Sequence, residues 1–211
     1  QSDGLFDISS GILRQVWNFK SNTLPNENAI QRLLPLINWS SIQWDQSEIF
    51  LPKKNMEIDF GGFGKEYAAD RAAEVFQSLG IQHGLVDLGG DIRIIGDKVD
   101  QSGWTIGIRD PKQPAQAITQ VTLHQGAMAT SGNYERFMKV GGQHYCHIMK
   151  ANTGWPINFW ASVTVLAPQC LVAGSLSTLT MLAEQEGASW LKEQEVPFLA
   201  IDINGQKISY L

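Results

Sequence analysis

The chain has 211 residues, 43% of them hydrophobic and 18% charged, a globular composition long enough for a self-sufficient core. Sixteen Lys and Arg against 21 Asp and Glu leave a net charge of −5 and no basic run, which argues against a nucleic-acid binder. No apolar stretch reaches the length of a bilayer-spanning helix, and two cysteines, Cys146 and Cys170, are too few for a disulfide framework.

Residues 5–20 carry Ile12, Leu13, Val16 and Trp17 at helical spacing after a polar start at Asp7, Ser9 and Ser10, which predicts a helix. A second helix is expected from Asn26 to Ile37, with Ile30, Leu33, Leu34 and Ile37 on its apolar face. Short strands around Ile42/Trp44 and Ile49/Leu51 flank a polar turn. Gly61, Gly62 and Gly64 then lead into a helix expected over Lys65–Leu79, with Ala68, Ala72, Val75, Phe76 and Leu79 as its apolar stripe and Gly80 as its stop.

Gly84–Gly96 reads as a strand, a glycine turn and a strand; Trp104–Ile108 and Ala117–Leu123 follow as strands around a proline-bearing loop. Further strands are expected at Ser162–Leu166, Phe198–Ile203 and Lys207–Leu211, the last two joined by an Asn204-Gly205 hairpin turn. Helices are expected from Gly174 to about Glu184 and over Ala188–Glu193. Strands in groups with helices interspersed predict an α+β fold, and the lack of a linker or repeat predicts one domain over residues 1–211.

Four segments could carry chemistry. The glycine-rich run from Asp59 to Lys65 opens a helix, whose first N–H groups suit an anion such as phosphate; it equally suits a tight strand-to-helix turn. Ala129 to Arg136 is either a ligand-contacting loop or a surface turn. His144 and His147 would point to opposite faces of a strand, which argues against shared metal ligation; His147 is either hydrogen-bonded core or a general base. Ser175, Ser177 and Thr178, at a helix start, are caps or oxygen ligands for a hard cation.

In this order the segments resemble the ApbE family of flavin transferases. The resemblance rests on Ser2-Asp3-Gly4-Leu5-Phe6-Asp7, on Asp59 to Asp70, and on Asp87-Leu88-Gly89-Gly90-Asp91. It continues through Gly103 to Pro111, Ala129 to Arg136, and His147-Ile148 to Pro156, and so covers essentially the whole chain. It implies a mainly antiparallel α+β domain that uses FAD and Mg²⁺ to place FMN on a Thr or Ser hydroxyl of a target flavoprotein, releasing AMP. By the same resemblance Leu5, Phe6, Asp7, Asp59, Lys65 and Ile148 line the FAD site. The Gly62 carbonyl and the Thr178 hydroxyl face the metal, and His147 is the base or orients the acceptor hydroxyl. The acceptor is expected to be a subunit of an ion-pumping redox complex, and the compartment periplasmic or membrane-anchored outside the cytoplasm.

The sequence departs from the family pattern at Gly174, where an Asp is usual, and at Glu66, where a Gly is usual. Loss of a carboxylate at 174 implies weak Mg²⁺ binding, which Gly174→Asp would tighten unless another acid such as Glu66 compensates. A stretch that precedes the Phe-Asp motif in the family is also missing from the chain. These departures keep a non-catalytic FAD-binding or maturation protein in view; a metal-dependent FAD pyrophosphatase, with water in place of the protein hydroxyl, is a further alternative.

Overall fold

The computed structural model describes residues 2–211. After a 3-10 helix at Ile8–Gln15, helix α1 spans Glu27–Leu33, and strands β1 (Gln43–Trp44) and β2 (Ile49–Phe50) form a short hairpin. Helix α2 spans Gly64–Ser78 and is followed by β3 (Gly84–Leu88), β4 (Asp91–Gly96), β5 (Trp104–Arg109), β6 (Ala117–Leu123) and β7 (Ala127–Gly132). Then come β8 (Phe137–Val140), β9 (Gln143–Cys146), β10 (Trp160–Ala167), α3 (Cys170–Ala183), α4 (Gly187–Glu193), β11 (Phe198–Asp202) and β12 (Lys207–Tyr210). The elements group into two compact units, one running up to Phe60 and taking in Glu135–Asn158, the other made of Gly61–Tyr134 and Phe159–Leu211.

The first unit is built around Leu13, Trp17, Ile30 and Met138, with the Trp155 ring set edge-on against Trp17 at 5.3 Å. The expected helix over residues 5–20 is here a 3-10 segment of eight residues. Its start is fixed by Asp7, whose Oδ1 accepts from the Ser9 amide at 2.8 Å. Gly11 lies against Asp59 with no room for a Cβ, and the Trp17 indole N–H is drawn to the Gly154 carbonyl at 2.8 Å. A local cap at the start, close approach to Asp59 in the middle and the long-range bond of Trp17 just past the end accompany the tighter 3-10 winding. The second helix stops as an α-helix at Leu33 and continues as 3-10 through Leu36, because Pro35 has no N–H to continue the ladder.

The second unit carries a six-stranded antiparallel sheet in the order β12-β11-β10-β7-β4-β3. Alternation along each strand separates two layers. Ile92 and Ile94 of β4, Met128 of β7, and Leu199 and Ile201 of β11 pack with Ile106 and Ile108 of the β5–β6 hairpin. On β4 the intervening residues Asp91 and Arg93 reach α2, and α3 packs on β7 and β10. Strand β10 is buried along nearly its whole length at the centre of a covered sheet; its apolar residues are interrupted only by Ser162 and Thr164, and the Thr164 hydroxyl pairs with that of Thr130 at 2.8 Å.

This architecture is the expected α+β fold with antiparallel sheets. Helix α2 lies where predicted but buries a different face. Glu66, Ala69, Asp70 and Ala73 are buried, whereas Val75, Phe76 and Leu79 are exposed. Small alanines allow α2 to approach β4 closely, and Asp70 on that face finds the cationic and backbone partners described below. Of the stretch from Ala129 to Arg136, read as a loop or surface turn, residues up to Gly132 belong to strand β7, which pairs with β10 along its length and with β4 at Ala127 and Met128, while residues 133–136 form the turn.

Candidate functional site

Within the second unit, Gly62 occupies the turn that leads into α2, and Lys65 and Glu66 lie in its first turn. Lys65 Nζ donates to Asp91 Oδ2 at 2.5 Å. Asp91 is buried just past Gly89 and Gly90, whose positive φ of 71° and 95° makes the tight turn that glycine permits. Its other oxygen accepts from the Thr130 amide at 3.4 Å. Burial works against the charged form of Lys65, but the hydrogen bond and charge of Asp91 outweigh it and hold the ammonium above its ordinary range.

Ser131, next along β7, faces α3, where its Oγ lies 2.7 Å from Ser177 Oγ and 3.0 Å from Thr178 Oγ1. Ser177 spends its one proton on the Gly174 carbonyl at 2.9 Å, so Ser131 donates to Ser177 and Thr178 donates to Ser131. The relay therefore runs from Thr178 to Gly174 and leaves both Thr178 lone pairs outside it.

The Glu66 side chain closes on Gly174. A Cβ at position 174 would lie 2.5 Å from Glu66 Cγ and 2.6 Å from Oε1, so the two departures from the family pattern are partners in one contact. Glu66 is 7% exposed, and its Oε2 is buried without a hydrogen-bond partner. Burial, reinforced by the Asp91 charge, pushes its carboxyl above the ordinary range.

Other candidates lie in the first unit. Leu5 is exposed and Phe6 half-buried, both in the bend that follows the positive-φ residues Asp3 and Gly4. Both Asp7 oxygens are engaged, one by Ser9 and the other by the Trp39 amide at 3.0 Å. The Asp59 amide donates to the Ile8 carbonyl at 3.0 Å, and the Ile148 carbonyl accepts from Ile157 at 3.0 Å. His147 sits just past β9, with its amide and its Nδ1 both on the Arg136 carbonyl, at 3.0 and 3.1 Å. A carbonyl only accepts, so Nδ1 carries the proton and Nε2 is the basic nitrogen. His144 instead stacks on Phe137 at 4.5 Å, so the two histidines serve different partners.

The structure thus brings Lys65 next to Asp91, Thr178 next to Ser131, and Glu66 onto Gly174, all in the second unit; His147 belongs to the first. Ser177 belongs to the helix-start hydroxyls that the sequence offers as caps or cation ligands, and Ser131 to the Ala129–Arg136 segment; Asp91 ends a Gly-Gly-Asp turn but is not itself among the sequence candidates. Among the described residues no three His, Cys, Asp or Glu side chains converge as a metal cluster. Both cysteines are buried, and among the described residues neither is in a disulfide.

The profile of the ApbE family matches residues 1–200. An FAD:protein FMN transferase of Klebsiella pneumoniae (strain 342) is 30% identical over 200 residues, which are 92% of this chain and 61% of that protein. The crystal structure of the ApbE protein of Thermotoga maritima superposes with a TM-score of 0.87 at 32% identity, covering 99% of this chain and 70% of that one. The flavin transferase ApbE of Vibrio cholerae gives a TM-score of 0.84 at 26% identity, covering 99% and 69%. The chain therefore spans about 60% of the length of the curated relatives it matches.

Proposed function

Because this chain belongs to the ApbE family, we propose that it transfers the FMN half of FAD to a Thr or Ser hydroxyl of a target flavoprotein, in an Mg²⁺-dependent reaction that releases AMP. The acceptor oxygen forms a bond to the FMN phosphorus, the pyrophosphate bond to AMP breaks, and the acceptor's proton goes to His147. The observation that carries this assignment of the base is the bond between His147 Nδ1 and the Arg136 carbonyl, which fixes Nε2 as the proton-accepting nitrogen. We assign Leu5, Phe6, Asp7, Asp59, Lys65 and Ile148 to FAD binding; Lys65, half-exposed and charged, offsets phosphate charge.

The residues present fit Mg²⁺ by their chemistry. The Thr178 lone pairs outside the hydroxyl relay and the Gly62 carbonyl are hard oxygen donors, and the unpartnered Glu66 oxygen marks a place short of positive charge. Held there, the cation would neutralise pyrophosphate charge. The Ser131–Ser177 bond keeps the Thr178 hydroxyl oriented as charge develops. The acceptor we propose is a flavin-carrying subunit of an ion-pumping redox complex, with the reaction outside the cytoplasm; both rest on the family resemblance.

The test is incubation with FAD, Mg²⁺ and a family acceptor domain, reading AMP release and acceptor mass together. A mass gain matching FMN with equal AMP is the expected result. AMP without a mass gain would instead indicate a pyrophosphatase, and bound FAD with neither signal a carrier.

A further inference from the structure

We propose that Glu66 supplies the carboxylate that holds the divalent cation, reaching from α2 into the volume a side chain at position 174 of α3 would otherwise fill. This rests on the Mg²⁺-dependent reading above and names the residue that makes it workable in this chain. The first observation is steric: a Cβ at 174 would meet Glu66 Cγ, Oε1 and Cδ at 2.5, 2.6 and 2.9 Å, so the glycine is the vacancy that admits the glutamate. The second is electrostatic. Oε2 is buried with no hydrogen-bond partner, on a side chain 7% exposed.

A buried carboxylate oxygen left without a partner is costly, and although the Lys65 charge helps, its ammonium donates to Asp91 at 2.5 Å, and burial still outweighs that help. A cation supplied from solution would relieve it. The oxygens at hand are all hard donors: the Glu66 carboxylate and the Thr178 hydroxyl at the head of the relay that ends on Gly174. That chemistry selects Mg²⁺ or Mn²⁺ over a soft metal. Cys170, one helical turn before Gly174, does not compete, since burial and then the Asp91, Asp70 and Glu66 carboxylates hold its thiol protonated.

Binding of Mn²⁺ to the FAD-loaded chain, without acceptor, is read from loss of the free-ion electron paramagnetic resonance signal. The wild type binds; Glu66→Gln binds about tenfold more weakly or worse; and the exchange Glu66→Gly with Gly174→Asp recovers most of the affinity. Thermal melts without metal confirm that each variant folds, and added Mg²⁺ raises the melting temperature of the wild type and the exchange variant but not of Glu66→Gln. Equal affinity of Glu66→Gln and wild type would overturn the assignment while leaving the cation reading intact. Absence of binding by the FAD-loaded wild type would overturn that reading, and this assignment with it.

Discussion

The Asp70 carboxylate of α2 accepts the amides of Cys170 and Leu171, both at 2.9 Å, and so caps the N-terminus of α3 from another helix. The residue in the N-cap position, Gln169, makes no side-chain capping bond. Arg93 reinforces the arrangement, with Nε 3.3 Å from Asp70 Oδ1 and Nη1 donating to the Pro168 carbonyl at 2.6 Å. The hydroxyls and Gly174 of α3 are thereby held at a fixed distance from α2.

Asp70→Ala removes two charge-assisted bonds to buried amides and the ion-pair partner of Arg93. It should lower stability by about 2–3 kcal/mol, and Asp70→Asn by about half as much, because an amide oxygen still accepts. Urea denaturation of the FAD-free protein measures both. A loss below about 0.5 kcal/mol for Asp70→Ala would mean that water satisfies these amides as well as Asp70 does.

Gly174→Ala forces the Glu66 side chain out of its place and should destabilise the protein by about 1–3 kcal/mol. Adding Glu66→Ala vacates the space, so the double variant should be more stable than the sum of the singles predicts, with a coupling of about 0.5–3 kcal/mol. The same collision revises the expectation that Gly174→Asp alone tightens Mg²⁺ binding. That substitution crowds one carboxylate against another, and it should help only when Glu66 is shortened. A double-mutant cycle in urea shows the coupling directly.

The orientation of His147 by the Arg136 carbonyl predicts that His147→Ala lowers turnover by about 10²–10⁴-fold while FAD affinity stays within about threefold. AMP release under saturating FAD, together with equilibrium FAD binding, separates the two quantities. Unchanged turnover would remove His147 from the proton transfer.

Cys146 and Cys170 are each fully buried, and burial with nearby carboxylates pushes the Cys170 thiol well above its usual range. Because the thiolate is the reactive form, neither residue should be labelled by maleimide in the folded protein, and raising the pH to about 9 should not expose Cys170 to reaction. Both should react in urea. Mass spectrometry of the labelled chain gives the result, and rapid native labelling of Cys170 would contradict the burial of this helix start.

Much of the fold is legible in local sequence because turn chemistry is local. Gly89-Gly90 and Asn204-Gly205 mark hairpins that the structure contains, and β6 has the predicted limits at Ala117 and Leu123. The buried face of α2 is not legible. Hydrophobicity favours Val75, Phe76 and Leu79, yet the sheet accepts Ala69 and Ala73 because they allow close approach, and it satisfies Asp70 through backbone amides of α3. Strand β7 is obscured similarly, since its small polar residues resemble a loop until β4 and β10 flank it. In the site, the motifs reveal Lys65, Thr178 and His147 as candidates. The sequence offers Glu66 as a substitute for the acid missing at 174, but that these two residues, far apart in the chain, touch is visible only in three dimensions.

Strand β4 carries a consequence for folding fidelity. Its alternate residues serve two unlike layers: Ile92 and Ile94 enter the apolar layer against the β5–β6 hairpin, while Asp91 and Arg93 meet Lys65 and Asp70 of α2. A slip of one residue against β3 or β7 would drive a carboxylate and a guanidinium into the oily side and turn two isoleucines toward the acids of the helix. Both layers would object at once. The strand thus acts as its own proofreader, since only one register satisfies both of its faces.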